Sequence, residues 1–340
     1  MHIALSYDLQ EDYLACGYSP EMAAEFDSQE TVDALASAIA RHGHDVTRVG
    51  NHDALVAWLA TGQRPDLVFN ICEGERGLGR EARVPTLLET AQIPFAFSDV
   101  AVLTLALHKG LCKLAVRGLG IATADFYQVD SLAALDQLLL DFKAGDPPMP
   151  FPVFAKPIAE GTSKGVDGFS RIDSCDNLFQ RCRALLEQFR QPVLVERYLP
   201  GREFTVGIVG TGDRARVVGA MEIVFAHADT ASVYSYAAKF VANSSWIRYR
   251  VPEPELYPSL SEAALKIWRG LGCRDGGRID FREDAQGKIH FLEINPLSGL
   301  NPDYGDLPIL SKLAGQDYDA LVGAILTSAM ERLEDRHVSV

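Results

Sequence analysis

The chain has 340 residues, more than one ordinary hydrophobic core organises, so two or three domains are expected. An apolar content of 47% with mean hydropathy near zero excludes a disordered chain. The formal charge of −14 excludes a protein built to hold nucleic-acid backbones, while leaving room for a local basic pocket. The six cysteines form no CxxC pair and read as reduced cytoplasmic thiols, not as disulfides or a thiolate metal centre. MHIALSYDL lacks the basic start of a signal peptide, and no window nears a membrane span, so a cytoplasmic protein is expected.

In chain order, HIALSY (2–7) reads as a strand and SQETVDALASAIARHGH (28–44) as a helix capped by Ser28. DVTRVG (45–50) is a strand, NHDALVAWLATG a helix, PDLVFNI (65–71) a buried strand and VPTLLETAQ a helix before IPFAFS. This βαβ rhythm predicts an open parallel sheet, with ligands at the carboxyl ends of its strands. Helices follow at 106–120 and in DSLAALDQLLLDFKAG, and the Pro-rich GDPPMPFP (145–152) leads into the strand VFAKPI. A Gly-containing loop, a helix, the strands PVLVERYL and EFTVGIVG and the strand ARVVGAMEIVF come next. Residues 229–250 read as a long polar loop, 257–272 as a helix, RIDF and IHFLEIN as a hairpin, and YDALVGAILTSAMERL as the last helix. The later two-thirds are thus antiparallel-rich α+β, and three units are expected, 1–104, 105–193 and 194–340.

The hairpin carries polar residues that a core would not take. Asp280 on one strand can face Glu293 and Asn295 on the other, and the latter two share a face because they are two apart. Two carboxylates and an amide oxygen make a hard donor set suited to Mg²⁺ beside nucleotide phosphates. The blander alternative is a solvated cross-strand polar patch. Lys156 ends an apolar strand just before a loop whose amides at Gly161, Thr162, Ser163 and Gly165 can cradle an anion, with Lys164 adding charge. The P-loop order is absent, and an ordinary hairpin turn is the alternative. Lys109 taken alone reads as a surface lysine, and Glu203 as a partner of Arg202. Glu196 and Glu203 flank a short linker that can offer backbone groups to a heterocycle and a carboxylate to a ribose.

These pieces occur in one order: Lys, Lys with Gly loop, Glu hinge, Arg-x-Asp, Glu-x-Asn. With KPIAEGTSKGV, VLVERYLPGREFTVGIVG, YSYAAKF, GCRDGGRIDF and FLEINPLSGLNP, the chain resembles the ATP-grasp ligases, and among them the D-alanine–D-alanine ligases. The resemblance implies an ATP-grasp fold behind a Rossmann-like N-terminal domain. It implies an ATP- and Mg²⁺-dependent carboxylate–amine ligase working through an acylphosphate, with two Mg²⁺ ions (Mn²⁺ as a substitute), small carboxylate and amine substrates and a homodimer. Lys109, Lys156 and the 161–165 loop would meet the phosphates. Glu196, Tyr198 and Leu199 would lie along the adenine, and Glu203 at the ribose. Asp280, Glu293 and Asn295 would hold the metal, and Arg278 the oxyanion of the tetrahedral intermediate. Tyr234 and Lys239 would reach the site from a lid, and Gly299 would lend an amide to the substrate.

The substrate-facing parts depart from the family. No Gly-Gly-x-Ser-x-Glu follows the first strand, Glu73-Gly74 stands where the family has His-Gly, NPLSGLNP replaces its small-residue motif, and His108 precedes the helix lysine. Glu73, Arg76, Arg80 and Glu81 are therefore candidates to read the substrate, or else solvated loop charges. The rivals are a ligase attaching an amino acid to another peptide or natural-product acid, such as a mycosporine-type conjugate, and an ATP-binding protein without catalysis. A nicotinamide dehydrogenase is disfavoured because no G-x-G-x-x-G follows the first strand.

Overall fold

Short apolar runs alternating with capped amphipathic segments build the first part of the chain. In the computed structural model, which describes residues 1–145, 147–225 and 247–338, β1 (His2–Tyr7), β2 (Asp45–Gly50) and β3 (Leu67–Ile71) form a parallel sheet in the order β2-β1-β3. Between and after them run α1 (Gln10–Ala15), α2 (Gln29–Arg41), α3 (His52–Ala60) and α4 (Arg83–Thr90). Ser28 and Asn51 cap α2 and α3 by accepting the amides of Thr31 and Ala54. IPFAFS makes an isolated bridge to the sheet, Phe95 to Val68.

The helix expected at 106–120 is two helices. α5 (Val100–Leu107) stops at His108, whose backbone is extended, and α6 (Lys109–Gly118) starts there with the His108 Nδ1 accepting the Leu111 amide at 3.3 Å. The apolar periodicity continues across the break, so the sequence pattern does not reveal it. The break puts Lys109 at a helix start, its amide bonded to the Ile158 carbonyl at 3.0 Å.

Next come β4 (Phe126–Val129), α7 (Leu132–Lys143), β5 (Val153–Pro157), β6 (Arg171–Ile172), α8 (Cys175–Phe189) and β7 (Val193–Arg197). The strands form an antiparallel sheet, β4-β7-β5-β6, whose one face buries Leu135, Leu178, Leu185 and Val195 with α7 and α8. A second antiparallel sheet, β10-β9-β8-β11-β12, is made by β8 (Glu203–Val209), β9 (Arg216–Phe225), β10 (Ile247–Arg250), β11 (Gly276–Glu283) and β12 (Ile289–Asn295). Residues 247–250, expected within a loop, are thus a strand. The sheet packs on α9 (Tyr257–Leu271), where Trp268 is fully buried and donates its Nε1–H to the Gly210 carbonyl at 3.0 Å.

The chain ends with α10 (Asp306–Leu313) and α11 (Tyr318–Val338). Leu321, Val322 and Ile325 of α11 join Ile3, Leu35, Ile39 and Phe69 in one core, so the last helix closes the first sheet. Burying such aliphatic side chains stabilises each contact by roughly 1.5–3 kcal/mol per residue.

Candidate active site

Both antiparallel sheets line a cleft of about 950 Å³, measured to its open mouth. β5 and β7 supply Lys156, Glu196 and Arg197, the hinge supplies Tyr198 and Leu199, and β8, β11 and β12 supply Glu203, Asp280, Leu292 and Glu293. Its charges are matched. The buried Glu196 carboxylate lies 2.8 Å from Lys156 Nζ and 2.8 Å from Lys113 Nζ. Burial alone would raise this carboxyl, but the two ammonium groups outweigh it and hold it at about 2. Glu203 pairs with Arg282 at 3.2 Å, not with Arg202, which is committed to Glu222 and Glu253. Arg171 and Arg282 lie over the Tyr198 ring, 5.0 and 5.6 Å from its centroid.

The hairpin forms the floor. Arg278 stands opposite Asn295 and Asp280 opposite Glu293, after which the register slips so that Phe281 meets Phe291. This bulge leaves Leu292 as the extra residue and turns both Leu292 and Glu293 into the cleft. Asp280 accepts hydrogen bonds from Thr205 Oγ1 at 2.9 Å and Asn295 Nδ2 at 3.3 Å and pairs with Arg278. Arg278 also reaches Asp306 at 3.2 Å, and Lys109 reaches Glu293 at 3.4 Å. Burial raises the Asp280 carboxyl above its ordinary value; Arg278 opposes this, and Glu293 and Asp306 add to it.

A second cavity, about 580 Å³, adjoins the first. Lys109, Glu160, Thr162, Arg278 and Glu293 line both, so the two share a wall. Away from that wall the second cavity is lined by Glu25, Glu73, Glu81 and the 295–299 turn with Ser298 and Gly299. Gly74 makes this possible. Its φ of +74° suits glycine, and a Cβ there would run into the Arg80 carbonyl, so the loop folds back and brings Glu73 towards Glu81. Burial first, then Glu81 and Glu25, raise the Glu73 carboxyl well above its ordinary value. Burial pushes Glu81 to about 7 despite Arg80.

The loop between the cavities holds an internal anion. Glu25 accepts the Gly161 amide at 2.7 Å and pairs with Lys164 at 2.6 Å and Arg80 at 3.0 Å. Thr162 and Ser163 have φ of +49° and +57°, an uncommon conformation for residues with side chains, and one that marks functional loops. Gly165, at φ +68°, buttresses the loop, since a Cβ there would lie 2.7 Å from Phe189 and Pro157.

Most sequence candidates therefore converge, with corrections. Glu196 lines the first cleft, with its carboxylate held by Lys113 and Lys156. Arg80 lines neither cavity: it is 5% exposed and bonded to Glu25 and the Ala159 carbonyl. Arg76 lines neither cavity; its side chain is exposed and meets Glu75 and the Tyr18 hydroxyl. Lys164 lines the first cleft but is tied to Glu25 and Glu160. Tyr234 and Lys239 lie outside the described residues. Sequence reasoning missed Lys113 and Glu25. Lys113 sits four residues after Lys109 on one amphipathic helix face, a like-charge pairing that could have flagged it. Glu25 follows the buried Ala23 and precedes the buried Phe26, a weaker signal.

The model of the family described as "D-ala D-ala ligase C-terminus" matches residues 115–327. The chain is 32% identical to D-alanine–D-alanine ligase from Aquifex aeolicus over 301 residues, covering 88% of this chain and 94% of the relative. It is 34% identical to the enzyme of the same name from Anaeromyxobacter dehalogenans over 275 residues, covering 80% and 82%. The fold matches the D-alanine–D-alanine ligase from Bacillus anthracis solved with ATP at TM-score 0.71 and 20% identity, over 99% of each chain. It matches the VanG D-Ala:D-Ser ligase from Enterococcus faecalis at TM-score 0.72 and 18% identity, over 96% of this chain and 99% of that one. The fold is thus ATP-grasp, and neither a natural-product conjugating enzyme nor a non-catalytic ATP-binding protein is favoured. The chain belongs to the D-alanine–D-alanine ligase family and is an ATP-dependent ligase that forms a carbon–nitrogen amide bond.

Proposed function

We propose that the first cleft binds ATP with magnesium and the second binds amino acids, D-alanine being the substrate in the relatives' names, with reaction at the shared wall. The observation that carries this reading is that Lys109, Arg278 and Glu293 line both cavities while Asp280 sits beside them. Tyr198 and Leu199 would flank the adenine, Glu203 with Arg282 the ribose, and Lys109, Lys156 and the Thr162–Ser163 turn the phosphates. The three expected units, 1–104, 105–193 and 194–340, would meet at this wall.

The donors fit magnesium. Asp280 and Glu293 stand opposite each other in register, and Glu293 raises the cost of ionising Asp280, a repulsion that a hard divalent cation relieves. Asn295 shares their face. These three would hold two Mg²⁺ ions, and Mn²⁺ would substitute. When bound, the ions neutralise phosphate charge.

One substrate's carboxylate oxygen takes the γ-phosphoryl group and ADP leaves. The second substrate's amine attacks the acyl carbon, the bond from that carbon to the phosphate oxygen breaks, and phosphate and a proton depart. Arg278, held by Asp280 and Asp306, would stabilise the oxyanion of the tetrahedral intermediate, and the Gly299 amide would support it. Lys156 keeps its charge because Glu196 faces it. A lid carrying Tyr234 and Lys239 would keep water from the acylphosphate, and the family reading extends to a homodimer.

Asp280→Asn and Glu293→Gln should each lower D-alanine-stimulated ADP release by about 10³-fold or more. Wild-type ADP release in either variant overturns the metal assignment.

A further inference from the structure

We propose that the second cavity selects an amino-acid substrate carrying an additional positive charge, a basic or diamino acid whose side-chain cation lies between Glu73 and Glu81. This deepens the ligase reading above and rests on it.

The charge pattern of the cavity is uneven. Glu25 faces Arg80 and Lys164, Glu160 faces Lys164 at 2.6 Å, Glu293 faces Lys109, and Arg278 is shared by Asp280 and Asp306. Glu73 and Glu81 line the same space, yet among the described residues neither side chain has a hydrogen bond or ion pair. The cation whose field both feel, Arg80, is already committed to Glu25 and a backbone carbonyl. Glu81 disfavours charge on Glu73, Glu25 disfavours it on both, and burial does so most of all; an ammonium or guanidinium between the two carboxyls relieves these costs.

An independent sign of a ligand comes from the opposite element. Ser298 lines this cavity, is 6% exposed, and among the described residues its Oγ has no hydrogen-bond partner. Buried hydroxyls are ordinarily bonded, so a group that fills the cavity is the missing partner.

Position agrees with the charge. Arg278 and Lys109 lie at the wall shared with the nucleotide cleft, where a reacting carboxylate must sit. Glu73 and Glu81 belong to the second cavity alone, on the loop that Gly74 folds back. A small neutral amino acid brings a single ammonium, and two unpaired carboxylates suit a substrate that brings two cations.

The test is ADP release by the wild-type enzyme with ATP and Mg²⁺, using matched pairs in both configurations: lysine against norleucine and ornithine against norvaline. Each is offered alone and with D-alanine. The basic member should show kcat/KM about tenfold higher or more, the scale of one charge-assisted contact. E73Q/E81Q should bring the ratio close to one; should that protein not fold, E81Q alone should reduce it. If D-alanine and the neutral members drive ADP release and the basic members do no better, selection by charge is overturned and the ligase reading stands. If no amino acid drives it, the ligase reading fails as well. An unchanged ratio in a folded variant removes the selecting role from this pair.

Discussion

The two cavities share a wall but are opposite in electrostatic design. In the first cleft each acid named above has a cation: Glu196 with Lys113 and Lys156, Glu203 with Arg282, Asp280 with Arg278, Glu293 with Lys109. In the second cavity the acids outnumber their cations, and Glu73 and Glu81 are the excess. The first arrangement aims its lysines before any ligand arrives, and Glu196 helps to raise Lys156 above its ordinary value against burial. The second is costly until a cation enters it. Preorganisation for an anion and demand for a cation can therefore sit side by side, because the pairing of each acid is decided locally by which strand or loop faces it.

The sharpest way to break this contrast is to remove an acid from the paired side. Glu196→Gln leaves two buried ammonium groups without their counter-ion and should cost about 3–5 kcal/mol in urea unfolding. A loss below about 1 kcal/mol would mean that Glu196 does not balance them.

The pH dependence of stability should separate the two classes. Glu196 and Glu25 are both lowered from an ordinary 4.5 to about 2, against burial, by Lys113 and Lys156 in one case and Arg80 and Lys164 in the other. Lowered carboxyls contribute stability that is present above the unfolded value and lost as pH falls from 4.5 towards 2, on the order of 3 kcal/mol each. Glu81, raised to about 7, and Asp27, raised from 3.8 to about 8 by burial and then Asp8, act in the other direction. The folded protein keeps their protons longer, so their contribution is full below the unfolded values and is lost as pH rises towards 7 and 8. Chemical denaturation from pH 2 to 9 should show both limbs.

Removing an acid from the surplus side should have the reverse sign. Glu81→Gln should stabilise the ligand-free protein by about 1 kcal/mol or more at pH 8, with the gain vanishing near pH 4, because an amide never ionises. Destabilisation at pH 8 would show that Glu81 is satisfied after all. The smallest effect belongs to the exposed loop charge: Arg76→Ala should stay within about 0.5 kcal/mol in unfolding and leave kcat/KM unchanged.

Much of the molecule could be read along the chain. The parallel sheet of the first seventy residues, the Ser28 cap, the hairpin and the partnership of Asp280, Glu293 and Asn295 all follow from local rules. Strand period, capping chemistry and a short turn act over a few residues, and those residues are contiguous. The break at His108 was not legible, because hydrophobic periodicity is blind to a single extended residue between two helices. The bulge that turns Leu292 into the cleft likewise depends on a neighbouring strand.

The amino-acid sequence by itself determined the family and which residues line the first cleft, since its motifs are short, ordered and chemically explicit. Only the tertiary structure decided which charges are spent on one another. Glu25 reaches Gly161 and Lys164 across more than a hundred residues of chain, Lys113 meets Glu196 from a different element, and Arg80 is withdrawn from the cavity while Glu73 and Glu81 remain in it. Ion pairing in a buried site is a property of proximity in space, and sequence separation says nothing about it.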